Sequence, residues 1–170
     1  MATAIVSSTR YMDMGVTRVY FLPTVAATTL VPTRAEMNAG TSLTGELSDW
    51  SGWVLSAEML DVQNMGNLFK STIPGSLSAP TCTMTFYTSK TGVDVRGVLT
   101  KGTSGFIEIL DGGDILANRA EVWPVTVASL SVIRGVIGGS STGSTTDAAS
   151  QILVQFAITA APAQYVGVPA

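Results

Sequence analysis

Thr81-Cys82-Thr83-Met84-Thr85-Phe86-Tyr87 sets an apolar side chain at every second position, Cys82, Met84 and Phe86, with threonine or tyrosine between them. Successive side chains of a strand point to opposite faces, so this period of two gives a half-buried β-strand whose Cys82/Met84/Phe86 face is core. The pattern recurs on both sides. Residues 17–22 begin the series, and residues 151–159 set Ile152, Val154, Phe156 and Ile158 against Gln151, Gln155 and Thr159. Between them, Ser104–Leu110 and residues 119–134 are strands joined through Asp111-Gly112-Gly113-Asp114, residue types suited to a hairpin turn. Residues 53–62 alternate Trp53, Leu55, Ala57 and Met59 against Ser56 and Glu58, a long strand with a mostly apolar face. With β-branched residues dominating throughout, the chain is mainly β.

The length of 170 residues fits one domain, 1–170. Only 12% of residues are charged while 46% are hydrophobic. Soluble domains average about 25% charged, so part of the nominal surface is expected to be covered by other copies of the chain. There is no histidine and one cysteine, Cys82. That excludes Ser-His-Asp and Cys-His catalysis, HExxH metal sites, intrachain disulfides and CxxC chemistry. Nine basic against twelve acidic residues give a net charge of −3, the wrong sign for gripping phosphates. The first eleven residues lack the early positive charge and apolar core of a signal peptide, and no run is long enough to cross a bilayer, so a soluble product made in the cytoplasm without membrane insertion is expected.

Between the strands, Thr33 and Glu36 form a capping-box pair and Gly40 a stop, which predicts a helix of one or two turns. Residues 1–16 and 160–170 read as terminal arms. Gly66, Pro74, Gly75 and Pro80 mark 63–80 as a long loop with one helical turn around Leu68 and Phe69; 92–99 is short enough for a helical turn or an irregular edge, and a second short helix is favoured. Residues 135–150, with four glycines and seven Ser or Thr from Ser140 onward, form a flexible loop. Gly139-Ser140-Ser141-Thr142-Gly143 matches GxSxG, but a nucleophile elbow needs a histidine base, and Gly/Ser-rich loops produce the match by chance. Asp111 and Asp114 fit a turn better than an acid pair or a calcium site. Cys82 fits the core better than a reactive thiol, and Trp50, Trp53 and Trp123 fit strand packing better than a sugar platform. No catalytic, cofactor or metal residues are expected. The residues themselves reach an oligomeric all-β structural or binding protein.

Six stretches carry a resemblance: Pro32-Thr33-Arg34-Ala35-Glu36-Met37-Asn38-Ala39-Gly40; Phe86-Tyr87 followed by Gly92-Val93-Asp94-Val95-Arg96; Gly102-Thr103-Ser104-Gly105-Phe106; Asp111-Gly112-Gly113-Asp114; Val122-Trp123-Pro124-Val125; and Gln155-Phe156-Ala157-Ile158. In order and phrasing the chain resembles the major tail tube proteins of long, non-contractile-tailed bacteriophages, particularly those of actinobacteria. The resemblance implies a β-sandwich or barrel flanked by one or two short helices, with six copies per ring. It further implies rings stacked into a virion tail tube, assembled in the host cytoplasm, through which double-stranded DNA passes without tight binding. A tape-measure protein and tail terminator and distal tail proteins are the implied partners. Alternation within such a tube makes Glu58, Glu108, Gln151 and Gln155 candidates for the lumen wall. Asp111, Asp114, Leu68, Phe69 and Tyr165 are candidates for contacts between subunits or rings. A capsid decoration protein or a glycan-binding β-sandwich module are the alternatives.

Overall fold

A computed structural model of the protein describes residues 11–63, 65–66, 68–92, 94–134 and 149–170. Most of the expected N-terminal arm and most of the expected 135–150 loop, with its GxSxG match, lie outside these residues. The described chain is mainly β and every described strand pairing is antiparallel. It divides into two compact units, each drawn from separate stretches of sequence.

The first unit comprises residues 1–45, 105–123 and 162–170. Its strands are β1 (Arg18–Leu22), β2 (Thr41–Ser42), β7 (Ser104–Leu110), the first part of β8 (Arg119–Ile133) and β10 (Ala163–Gly167). They run in the order β2-β1-β7-β8, with β10 on β8. Val19, Phe21, Ile107 and Ile109 are buried by period-two alternation, as apolar residues of a packed strand must be. A second cluster joins Leu110 of β7, Ala120 of β8, Val168 and Met37, with Tyr20 packed against it. Met37 comes from α1 (Arg34–Ala39), which forms where the capping box directs it. The Thr33 hydroxyl accepts from the Glu36 amide at 3.3 Å, and the Glu36 carboxylate accepts from the Thr33 amide at 2.7 Å. Residues 160–170, expected as an arm, instead carry β10 and bury Val166 and Val168. The apolar valines of this segment are satisfied by the unit's own core rather than by a neighbour.

The second unit comprises residues 46–104 and 124–161. Here the later part of β8 pairs with β9 (Gln151–Ile158), β9 with β6 (Cys82–Tyr87) and β6 with β3 (Leu47–Ser51). Cys82, Met84 and Phe86 are fully buried, with Ile152, Val154 and Phe156 of β9 opposite them. β8 pairs with β10 as far as Val122 and with β9 from Val125, so Pro124, which has no N–H to give a ladder, falls where the partner changes. The 92–99 helix reduces to a 3₁₀ turn, Val95–Gly97, capped by Asp94.

Two expectations change in this unit. The strand placed at 53–62 is β4, Ser56–Val62, while Trp53 stands before it, its indole N–H donating to the Thr83 carbonyl at 3.1 Å. The 63–80 loop contains a strand, β5 (Ser71–Ser78), paired with β4 into a separate two-stranded sheet. Leu68 and Phe69 lie in bends of the connection, not in a helical turn. Pro74 and Gly75 look like loop residues in sequence, yet an edge position with a register shift accommodates both.

Candidate assembly surface

The β4–β5 hairpin exposes a run of apolar side chains. In an antiparallel pair, directly opposed residues share a face. Leu60 therefore lies with Ile73, and Met59 with Pro74, on opposite faces of the hairpin. Leu60, Ile73 and Met59 are all exposed, as is Leu77 farther along β5. Both faces of the hairpin thus leave large apolar side chains in water, and at its connection so do Leu68 and Phe69. Two-stranded hairpins are marginal by themselves, and a monomer seldom leaves such an apolar patch uncovered without a partner in view. The hairpin is held internally by the Lys70–Asp61 ion pair and by the Ser71 hydroxyl donating to the Val62 carbonyl at 3.1 Å.

The four lumen candidates separate. Glu58 is exposed on β4, where the Ser76 hydroxyl donates to it at 3.4 Å. Gln151 and Gln155 are half-buried on one face of β9; Gln151 donates to the Ser48 hydroxyl at 3.1 Å and Gln155 accepts from Ser129 at 2.7 Å. Glu108 departs from expectation: it has no exposed surface in the subunit. Alternation puts it opposite Ile107 and Ile109 correctly, but the other side of β7 is also covered, because Leu110 on that side joins the Met37 cluster. A residue sealed within its own unit does not face a lumen.

Of the contact candidates, Leu68 and Phe69 lie in the hairpin connection and are exposed. Asp114 accepts from the Arg34 guanidinium at 2.7 Å, and the same guanidinium donates to the Pro169 carbonyl at 2.9 Å. Arg34, which carried no contact expectation in the sequence, thus ties α1 to the β7–β8 turn and to the C-terminal segment. Burial, with Asp13 adding to it, pushes the Asp111 carboxyl up. Tyr165 is exposed at φ 62°, in the left-handed region that bulky residues avoid, with the Arg119 guanidinium 5.0 Å over its ring. The residues missed in sequence are Ile73 and Leu77, and their signal was a short apolar alternation interrupted by Pro74-Gly75. Among the described residues no three His, Cys, Asp or Glu side chains are grouped to hold a metal ion.

Comparison with known proteins gives the family and the fold. Residues 6–170 match the family model described as phage tail tube protein. Among solved structures, the chain is similar to one from the tube-terminating cap of the anti-feeding prophage, at 12% identity and TM-score 0.54, covering 95% of this chain and 96% of that one. A chain from the baseplate of the same particle, solved with six-fold symmetry imposed, aligns at 11% identity and TM-score 0.49 over 99% of both. No curated protein sequence matches significantly.

Proposed function

The chain belongs to the phage tail tube protein family, and from that premise we propose that its copies close into hexameric rings and that these rings stack into the tube conducting the phage genome to the host cell. It is a structural component of the virion tail. The observation carrying the finer reading is the β4–β5 hairpin, which exposes apolar side chains on both faces and in its connection. A ring requires a heterologous interface that closes on itself, and stacking requires elements that reach past the ring plane; a hairpin with exposed apolar side chains on both faces suits either task. The sparse charge agrees, since surface covered by neighbouring copies has little use for Lys and Glu. The net charge of −3 suits a conduit, because basic groups along the wall would hold the phosphates that must slide past.

Within this reading Glu58, Gln151 and Gln155 are the wall candidates, and Leu68, Phe69, Asp111, Asp114 and Tyr165 the contact candidates. A tape-measure protein and terminating proteins at the two ends are the partners such a tube requires. Assembly takes place in the host cytoplasm. Negative-stain microscopy of the purified chain tests the proposal: rings or tubes with a central channel are expected. Compact trimers, or monomers at every concentration tried, would overturn it.

A further inference from the structure

Glu108 is fully buried and neither of its carboxylate oxygens has a hydrogen-bond partner. A carboxylate stripped of water with nothing in its place is costly, and such a group takes up a proton instead. Its surroundings are specific. Tyr20 lies directly across from it on β1, and Leu110, two residues along the same face of β7, packs with Met37 of α1 and with Val168. Glu108 therefore lies on the face that α1 and the C-terminal segment cover.

The charged and titratable groups around it are few. β1 contributes Tyr20, with Arg18 on the same face; α1 contributes Arg34; the β7–β8 turn contributes Asp114. On α1, Glu36 is occupied by the Thr33 and Ala26 amides. On β8, Glu121 lies on the face opposite Ala120 and accepts from the Trp123 indole at 3.0 Å. Asp111 lies near Asp13. Residues 163–170 bring no acidic or basic side chain, only Tyr165. Burial first, with Asp114 adding and Arg34 opposing, pushes the Glu108 carboxyl up to about 7. Arg34, the cation that opposes this, is already engaged by Asp114 and by the Pro169 carbonyl.

We propose that Glu108 is a proton-controlled latch on the C-terminal segment. With the carboxyl protonated, α1 and residues 163–170 close over it. With it ionised, the buried charge draws water and the Arg34 guanidinium inward, away from the Pro169 carbonyl, and the segment loosens. Because the closed-state value lies above the ordinary carboxyl value, the closure is complete at acid pH and is lost as pH rises through neutrality.

Hydrogen exchange of the full-length protein, corrected for the intrinsic pH dependence of exchange, tests this directly. The reporters are the Val168 amide, which donates to the Asn118 carbonyl, and the Ala117 amide, which donates to the Val168 carbonyl. Between pH of about 5.5 and about 8 their protection is expected to fall about ten- to thirtyfold, the linkage expected for one carboxyl, while the β6–β9 amides keep theirs. Glu108→Gln should hold the protection at both pH values. Asp114→Asn, which removes a neighbouring negative charge and frees Arg34, should move the loss to lower pH; this second variant decides the matter if the first does not fold. A flat profile in the unaltered protein, the same loss in Glu108→Gln, or an unmoved loss in Asp114→Asn overturns the latch.

Discussion

Phe86 shows what a single residue contributes. It is fully buried on β6, opposite Ile152 of β9, on the face it shares with Cys82 and Met84. Phe86→Ala should cost about 3–5 kcal/mol, since the surrounding β-ladders cannot collapse into the space left behind. Urea unfolding measures this, and an unchanged midpoint would mean that the face is not core. Cys82 beside it is structural as well: its thiol donates to the Gly52 carbonyl at 3.1 Å, and burial pushes it up to about 11, far from a reactive thiolate. Glu108 is buried although alternation sets it opposite Ile107 and Ile109. Alternation identifies the side of a strand on which a residue sits, but what covers that side is decided by other elements.

At the scale of elements, two turns carry the argument. Gly52 follows β3 at φ 85°, and a Cβ there would lie 2.3 Å from the Thr81 carbonyl oxygen and 3.0 Å from the Cys82 Cα. Backbone cannot move aside as a flexible side chain can. Gly52→Ala should therefore loosen β3 from β6 at a cost of about 1–3 kcal/mol from backbone strain, with the clash added. Thermal unfolding reads it out, and an unaltered melting temperature would contradict the close approach. The β4–β5 hairpin makes the opposite prediction. Leu68 and Phe69 are exposed in its connection, so Leu68→Ser with Phe69→Ser should leave the melting temperature of the subunit within about a degree, because exposed positions contribute little to folding. The same variant should form few rings or tubes by negative-stain microscopy. Normal tubes from it would remove this connection from the proposed contacts. β5 escaped the sequence reading because Pro74 and Gly75 imitate a loop, whereas an edge strand with a shifted register tolerates both.

For the whole molecule, the proposed tube makes charge the property to alter. Glu58 is exposed on β4, and Glu58→Lys should permit tubes to assemble but slow genome ejection, most at low salt, where phosphate attraction is least screened. Ejection at an unaltered rate across a salt series would take Glu58 off the wall. Much of this protein was decided locally. The period-two runs determined the strands β1, β6, β7, β8 and β9 and the buried faces of β6 and β9, because alternation follows from strand geometry alone. The Thr33–Glu36 pair determined α1, because a capping box is satisfied within four residues. The absence of histidine and the scarcity of charge turned the reading toward structure and assembly. Tertiary structure decided the rest. It turned the 160–170 segment into β10, paired β4 with β5 away from the larger sheet, and closed α1 and Val168 over the face that holds Glu108. Each of these depends on which distant segment arrives to cover a face or pair with an edge, and that is a property of long-range packing that no local pattern of residues encodes.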